Sequence, residues 1–394
     1  MKKIIRYAGA LLLAAGFVAC SEWNMPERET FENQENLEKY IPLLEAESEA
    51  DLTPSMRDYF AKLREYRQTP HVKGFGWFGN WTGQGASPVN CLMGLPDSVD
   101  FVSMWGNWYG LSPEKWADKR EVKSKKGTRV TICFIVANCG DQTTPQSVRD
   151  NWQANGFASE DAAVKDFWGW VDGDQAAIDA AIAKYAKSIV DTIDKYDWDG
   201  FDFDYEANYG SPGNIAGPYL GDSGDPETNR QRTNFLTFVK ELGKYLGPKS
   251  GTDRLLVIDG EPQNMHPDAR DYFDYYIIQA YACYSYSNLD SRYEKLLRGL
   301  EVGDDEALKQ MVTERLIWCE NFESYAADGG VTHTTRDGQT VNSLKGMAMW
   351  ESQYGYRKGG VGTYHMEYEY SLAGHSIEYP YLREASAIMN PPMK

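Results

Sequence analysis

The segment Asp199–Glu206, with the sequence DGFDFDYE, carries four acidic side chains within eight residues. Alternate residues of a β-strand point to the same face, so Asp202, Asp204 and Glu206 would share one face and the aromatic residues between them the other. Neighbouring carboxyls on that face would lie about 7 Å apart along the strand. Carboxyls crowded in an enclosed site raise one another's pKa, so the outermost one, Glu206, would stay protonated near neutral pH, as a general acid must.

The surrounding elements decide whether that acidic face is enclosed. Short apolar runs alternate with amphipathic helical stretches from Lys73 to Met389. Eight runs are predicted as strands: Lys73–Phe78, Val99–Met104, Arg129–Ala137, Asp197–Glu206, Arg254–Asp259, Tyr275–Tyr281, Arg315–Cys319 and Gly346–Trp350. Eight strand-then-helix units with nearly continuous apolar strands predict an α/β fold, a (β/α)8 TIM barrel. An open doubly wound sheet is the alternative, although it normally needs fewer strands.

A parallel barrel favours the interpretation that the acidic face of the fourth predicted strand is enclosed. A solvated edge strand with an acidic face is the alternative, but three like charges inside a barrel are costly unless some are protonated or hydrogen-bonded. Barrel enzymes carry their chemistry at the C-terminal ends of the strands and in the loops that follow. Besides the acidic face, these positions suggest Trp77, Trp105, Asn138 and Trp350 as substrate-binding residues.

Composition excludes several classes of protein. The chain has 394 residues and a formal net charge of −18, which disfavours contact with nucleic acid or an anionic membrane through a basic patch. Hydrophobic residues make up 42% of the chain and aromatic residues 13%, enough for one large core. The sequence from Gly74 to Gly79 matches G-x-G-x-x-G, but its glycines fall inside the first predicted strand, so we expect no dinucleotide. The five histidines show no ligand spacing, so we expect no cofactor and no metal.

The N-terminus reads as an export signal. Residues 1–19 combine a basic start with an apolar run too short to span a bilayer. Ala19 before Cys20 resembles a bacterial lipobox, in which the cysteine is lipidated, although Phe17 departs from the usual leucine; an ordinary signal peptide is the alternative. We therefore expect residues 20–70 to form a tether and a lead-in helix, and residues 71–394 to form the barrel. The other five cysteines contain no CxxC pair and should be buried free thiols.

The acidic segment resembles the D-x-x-D-x-D-x-E signature of glycoside hydrolase family 18, the family of chitinases and endo-β-N-acetylglucosaminidases. All four acidic positions match. The resemblance implies that Glu206 protonates the glycosidic oxygen and later acts as a base, and that Asp204 orients the substrate's own 2-acetamido group as the nucleophile. It further implies that Asp202 is the inner partner that lets Asp204 turn. Asp199 lies off the shared face and is interpreted as structural.

Two further strands bear on the branch of the family. The sixth strand ends in Gln279-Ala280-Tyr281, similar to the Gln-x-Tyr of bacterial endo-β-N-acetylglucosaminidases, whereas chitinases typically carry Met-x-Tyr-Asp. Gln279 and Tyr281 would then hydrogen-bond the oxazolinium intermediate, although two ordinary polar strand-end residues would look the same. Trp350 is similar to the family's tryptophan at the floor of the −1 subsite. The third strand lacks the family's Ser-x-Gly-Gly, which argues against a standard chitinase.

The sequence therefore predicts an endo-β-N-acetylglucosaminidase that hydrolyses the GlcNAc-β1,4-GlcNAc core of N-linked glycans with retention of configuration. A non-catalytic glycan-binding barrel and a chitinase are the alternatives; binding-only family members have usually lost the terminal Glu, which this chain keeps as Glu206. The expected partner is an N-glycan or another GlcNAc-containing glycan. We expect a monomer, exported across the inner membrane of a bacterium and held at its outer membrane or cell surface only by the lipid anchor.

Overall fold

A closed barrel of eight parallel strands forms the body of the protein. The computed structural model describes residues 52–85, 87–208, 213–217 and 226–391. The barrel strands are β1 (Lys73–Phe78), β2 (Phe101–Trp105), β3 (Arg129–Ile135), β4 (Gly200–Tyr205), β5 (Leu255–Gly260), β6 (Tyr275–Gln279), β7 (Leu316–Asn321) and β10 (Gly360–Tyr364). Each strand pairs with its neighbour in the chain, and β10 closes the ring between β7 and β1. A short hairpin, β8 (Thr332–Thr334) and β9 (Thr340–Asn342), lies between β7 and β10.

Helices follow the strands around the outside of the barrel. They are α1 (Pro54–Arg67), α2 (Pro113–Glu121), α3 (Gln146–Asp150), α4 (Glu160–Trp168), α5 (Gln175–Tyr196), α6 (Pro226–Leu242), α7 (Tyr286–Gly299), α8 (Glu306–Glu314), α9 (Phe322–Tyr325), α10 (Ser343–Met349) and α11 (Pro380–Met389). The predicted TIM barrel is thus confirmed, and seven of the eight predicted runs overlap a barrel strand. The eighth prediction, Gly346–Trp350, is wrong.

Local sequence explains how β4 is delivered to the barrel. Asp174 caps α5 by accepting hydrogen bonds from the first-turn amides, and Asp197 ends the helix in a left-handed conformation with φ 52°. Three residues later β4 begins at Gly200, where a Cβ atom would lie 2.2 Å from the carbonyl oxygen of Leu255. Only glycine allows this approach, so the start of β4 is fixed against β5.

Apolar residues pack on both faces of the barrel strands and form an outer layer and an inner layer. The outer layer fills the space between strands and helices; there, Phe203 of β4 packs its ring against Phe235 and Phe238 of α6. The inner layer fills the barrel itself and includes Phe75, Trp77 and other residues from alternate strand positions. The glycines of the Gly74–Gly79 segment serve this packing, since a Cβ atom on Gly74 would lie 2.4 Å from the carbonyl oxygen of Ser98.

The lead-in helix is attached by polar contacts. Helix α1 lies outside the barrel, as predicted, but none of its residues is buried, and Met56 and Tyr59 are about half exposed. Instead, Arg67 pairs with Asp100 before β2 at 2.9 Å, and Arg64 donates to the carbonyl oxygen of Ser124 at 2.9 Å. The helix therefore braces the end of the barrel opposite the C-terminal strand ends.

The N-terminal predictions lie outside the described residues. These are the signal peptide, Cys20 and the first part of the lead-in helix, up to residue 51. Among the residues that the structure describes, no helix is long and apolar enough to cross a membrane. The remaining cysteines are confirmed as buried free thiols: Cys91, Cys133, Cys139, Cys283 and Cys319.

Candidate active site

The acidic face of β4 points into the barrel, as its alternation predicts. Asp202 and Asp204 are buried and face the interior, while Phe201 and Phe203 lie in the outer apolar layer. Glu206 follows the last residue of β4 and is half-buried at the mouth of the barrel. The strand thus presents two enclosed carboxyls below one that reaches the solvent.

Asp202 is the innermost of the three carboxyls. The indole Nε1 of Trp77 donates to its Oδ2 at 3.0 Å. Burial raises the pKa of Asp202 from 3.8 to about 6, although the hydrogen bonds that the carboxyl receives oppose this shift. Trp77 is only 2% exposed, so the prediction that it binds substrate is not supported by its position. It lies beneath the mouth and holds Asp202.

Asp204 lies between the other two carboxyls. Burial raises its pKa well above the usual range, and the charges of Glu206 and Asp202 raise it further. Its Oδ1 is buried and has no hydrogen-bond partner among the described residues. A buried carboxyl oxygen without a partner is costly, which suits a group whose partner arrives with the substrate.

The surroundings of Glu206 favour its protonated form. Burial raises the pKa of this carboxyl, and the nearby charge of Glu261 adds to the effect. The hydrogen bond from Gln279 Nε2 to its Oε1, at 3.4 Å, acts in the opposite direction. A raised pKa keeps part of the Glu206 population protonated at a pH where a free glutamate would be ionised.

Gln279 and Tyr281 both reach the carboxyl cluster from β6 and the residues after it. The Gln279 amide contacts two carboxyls, because Nε2 also donates to Oδ1 of Asp259 at 3.0 Å. The ring of Tyr281 lies 6.1 Å from that of Tyr364, and burial raises the pKa of its phenol well above the usual range. The structure therefore brings these two residues together with Asp204 and Glu206, although their predicted catalytic roles stay predictions.

Sequence reasoning missed Asp259. This residue of β5 stands beside Asp204 in the strand register and is 1% exposed. Its apolar neighbours Leu255 and Val257 share its parity and line the barrel interior. That parity was the available signal, because an acidic residue on the inward face of a barrel strand must take part in the interior network.

One group of described residues brings possible metal ligands together. Cys133, Asp202 and Asp259 each offer one possible ligand atom, and these three atoms lie within 4.8 Å of one another. Trp77 already donates to Asp202, Gln279 donates to Asp259, and the Cys133 thiol donates weakly to Asp259 at 3.8 Å. These contacts are those of a hydrogen-bonded acid cluster.

The prediction that Trp350 ends the eighth barrel strand is wrong, and its position does not support contact with substrate. This residue ends helix α10, and its buried indole packs in the outer layer, with the ring of Trp318 at 5.3 Å. Its Nε1 donates to Asp290 at 2.8 Å. The run Gly346–Trp350 is apolar because it packs against the outer surface of the barrel strands. It therefore cannot supply the floor of a sugar subsite.

Tyr364 occupies the position that was assigned to Trp350. It is the last residue of the eighth barrel strand, β10, and is partly exposed. Its ring lies 5.7 Å from that of Trp105 and 6.2 Å from that of Trp77. The short, glycine-rich sequence GVGTY of β10 explains why the strand was overlooked.

The two remaining substrate candidates differ in their placement. Trp105 ends β2, is partly exposed and lines the groove described below. Asn138, in contrast, lines a separate small cavity of about 270 Å³. Its Oδ1 accepts from the backbone amide of Asn214 at 2.9 Å, so it braces the loop that follows Glu206. The predicted contact of Asn138 with substrate is thus not supported by its position.

A groove lies across the loops after β1, β2 and β10 and is lined in part by Trp105 and Tyr364 at the ends of β2 and β10. Its volume is about 1520 Å³. Beneath it, Glu367 joins the loops after β1 and β10 by accepting from the backbone amide of Gly79 at 3.1 Å and bonding the His365 imidazole at 2.7 Å. Polar and aromatic side chains line the groove, among them Asn80, Trp105, Asn107, Tyr109, Tyr364, His365 and Tyr368.

Two buried carboxyls, Asp202 and Asp204, lie below Glu206 at the mouth of a parallel barrel, and this arrangement defines a glycosidase-type site. Comparison with known proteins gives the family. Residues 43–388 match the family described as "Glycoside hydrolase family 18, BT1044-like". The protein belongs to this family of glycoside hydrolases, as the acidic signature predicted.

Individual relatives agree with this assignment. A solved structure of BT1044 with a Glu-to-Gln substitution is 35% identical, covers 89% of this chain and 97% of its own, and has a TM-score of 0.71. Endo-beta-N-acetylglucosaminidase F2 of Elizabethkingia meningoseptica is 24% identical over 229 residues, 56% of this chain; the match spans only about half, 54%, of that relative's length.

A more distant structure shares the fold. The apo endo-beta-N-acetylglucosaminidase from Cordyceps militaris is 18% identical, covers 87% of this chain and 98% of its own, and has a TM-score of 0.55. At this identity the likeness extends to the architecture of the barrel.

Proposed function

We propose that this glycoside hydrolase is an endo-β-N-acetylglucosaminidase that cuts between the two GlcNAc residues at the core of N-linked glycans. The observation that carries the proposal is the arrangement at the mouth, where the amide of Gln279 lies 3.4 Å from Glu206 Oε1 and Asp204 lies directly below. The names of two relatives add support, since both the Elizabethkingia meningoseptica protein and the Cordyceps militaris structure are called endo-beta-N-acetylglucosaminidases.

The first step breaks the glycosidic bond. Glu206 donates its proton to the glycosidic oxygen, and the carbonyl oxygen of the substrate's 2-acetamido group attacks the anomeric carbon from the opposite face. Asp204 accepts the acetamido N–H, which aligns that group and stabilises the positive charge that develops on it. Asp204 Oδ1 has no hydrogen-bond partner among the described residues, so an acceptor is available for this N–H.

The second step restores the enzyme. Glu206, now ionised, takes a proton from water, and the water oxygen attacks the anomeric carbon as the carbon–oxygen bond of the oxazolinium ring breaks. Two inversions at one carbon give net retention of configuration. Gln279 and Tyr281 contribute an amide and a phenol beside Asp204, where they can hold the ring of the intermediate.

The size and lining of the groove support the proposal that the substrate is large. Its volume of about 1520 Å³ exceeds the ~300–1,000 Å³ that is typical of small-molecule sites. The partly exposed rings of Trp105, Tyr109 and Tyr364 offer flat apolar faces, and Asn80 and Asn107 offer hydrogen bonds. A branched oligosaccharide needs this mixture of flat faces and polar edges.

A panel of substrates tests the proposal. The protein is incubated with glycoproteins that carry defined N-glycans and, separately, with chitin oligomers, and the products are identified by mass spectrometry. We expect one GlcNAc to remain on each asparagine and the glycan to be released with a reducing-end GlcNAc. Release from chitin oligomers alone would favour a chitinase, and binding without any release would favour a non-catalytic barrel.

We further propose that Cys20 is lipidated after removal of residues 1–19, and that the protein acts as a monomer at the outer membrane or cell surface of a bacterium. Mass spectrometry of the N-terminal peptide tests the lipid, with Cys20→Ser as the control. Release of the unchanged protein by a salt wash from wild-type membranes would contradict the anchor.

A further inference from the structure

Asp259 has no place in the mechanism given above, although it lies inside the catalytic barrel. Its Cα is in register with that of Asp204 on the neighbouring strand. Its Oδ1 accepts from Gln279 Nε2 at 3.0 Å, and the same amide nitrogen lies 3.4 Å from Glu206 Oε1. Asp259 therefore connects the inner carboxyl cluster to the mouth.

The three buried carboxyls of Asp202, Asp204 and Asp259 cannot all be ionised at the same time. Asp202, Asp204 and Asp259 are each at most 2% exposed. None of the ion pairs found among the described residues includes any of the three. Like charges packed together without a counter-charge cannot all be present at once in a site of low dielectric, so the cluster must retain at least one proton near neutral pH.

The groups that face Asp259 indicate where that proton lies. Burial raises the pKa of Asp259 well above its usual range, and the charges of Asp204 and Asp202 raise it further. Hydrogen bonding with Asp259 lowers the pKa of each of these two neighbours, while hydrogen bonding with Asp202 raises that of Asp259. The other titratable groups that interact with Asp259 have raised pKa values and stay neutral: Cys133, Tyr281 and Cys319.

We propose that Asp259 is a positioning residue for Asp204, which rests on the function proposed above. Asp259 stays neutral and donates its O–H as a hydrogen bond to whichever of Asp202 and Asp204 remains in the interior. When Asp204 turns toward the acetamido group, Asp202 is left with a hydrogen-bond donor instead of a second bare carboxylate. A carboxylic acid kept neutral by its surroundings can serve as such a donor at neutral pH.

Two substitutions at one position separate this role from simple packing. Asp259→Asn keeps the shape and supplies a permanent N–H donor, whereas Asp259→Leu fills the space without one. Asp100→Asn is the matched control, because Asp100 is a buried carboxyl before β2 at the opposite end of the barrel, where its contacts with His71 and Arg67 outweigh burial and lower its pKa. Turnover on a released-glycan assay and infrared spectra of protonated carboxyl groups near pH 7 are measured for all three and for the wild type.

The two readouts have separate expected results. The infrared band of protonated carboxyls should lose one group in Asp259→Asn and none in Asp100→Asn. Asp259→Asn should keep kcat within about tenfold of the wild type, whereas Asp259→Leu should lower it by a further ~10- to 150-fold with little change in KM, the factor for one hydrogen bond to a charged group.

Either of two results would overturn the proposal: an unchanged protonated-carboxyl band in Asp259→Asn, or equal turnover in the asparagine and leucine variants. If Asp259→Leu does not fold, the infrared comparison of Asp259→Asn decides alone. The infrared count does not depend on the substrate, so it tests the proton even if the wild type cleaves no N-glycan, a result that would reject only the proposed activity.

Discussion

The innermost carboxyl should weaken the fold that contains it, and Asp202→Asn should therefore stabilise the protein at neutral pH. Asp202 is fully buried, and its pKa rises from 3.8 to about 6. The asparagine oxygen can still accept from Trp77 Nε1, which lies 3.0 Å from Asp202 Oδ2 in the wild type. The substitution thus removes a buried charge while it preserves the shape of the side chain and the hydrogen bond from Trp77.

The size of the effect follows from the two pKa values. A carboxyl whose pKa is higher in the folded than in the unfolded protein binds its proton more tightly when folded. Stability is then greatest below the unfolded pKa and is lost as pH rises through the folded pKa. For Asp202, a pKa of 3.8 against one of about 6 corresponds to ~3 kcal/mol, lost between about pH 4 and pH 6.

Urea unfolding across this range measures the effect. The free energy of unfolding of Asp202→Asn should equal that of the wild type near pH 4 and exceed it by up to ~3 kcal/mol above about pH 6. Asp199→Asn is the control, since Asp199 accepts from the Val130 amide at 2.7 Å and pairs with Lys123 at 3.0 Å. That substitution should cost up to ~1 kcal/mol. A difference for Asp202→Asn that stays constant with pH, or that has the opposite sign, would refute the reasoning.

Four further predictions concern the site and the residues assigned to it from sequence. Glu206→Gln should lower turnover by ~10²–10⁴-fold and leave glycan affinity unchanged, because the amide keeps the shape but cannot donate the proton. Asp204→Asn should lose hydrolysis by orders of magnitude, since an aligned internal nucleophile supplies up to ~7–11 kcal/mol, yet it should still transfer a pre-formed glycan oxazoline to a GlcNAc acceptor. Tyr364→Ala should weaken glycan binding by about tenfold or more through lost apolar contact. Trp350→Phe should leave binding unchanged and lower the free energy of unfolding by ~1–3 kcal/mol through the lost bond to Asp290.

Each of these has an outcome that contradicts it. Near-normal turnover of Glu206→Gln would place the acid elsewhere. Equal, small losses of Asp204→Asn on glycan and oxazoline would exclude the substrate-assisted step. Calorimetry on inactive protein compares Tyr364→Ala with Trp350→Phe, and a larger binding defect in the tryptophan variant would support the sequence prediction that Trp350 binds substrate.

The acidic face of β4 was predictable because it depends on local geometry alone. Residue parity along one strand places Asp202 and Asp204 on the same side whatever lies beyond the strand. The alternation of apolar runs and helical stretches is also a local signal, repeated often enough to indicate the barrel. Gln279 and Tyr281 were found from their similarity to a short family motif at the end of the predicted sixth strand, which is also a feature of the local sequence.

The remaining members of the site depend on contacts between distant parts of the chain. Asp259 lies 55 positions after Asp204, and only the pairing of β4 with β5 sets them side by side. Trp350 ends an apolar run, whereas Tyr364 ends the glycine-rich run GVGTY, so hydrophobicity favoured the helix that packs outside the barrel over the strand that closes it. Ring closure between β7 and β1 decides that Tyr364 reaches the mouth, because eight paired strands leave only one position for the last.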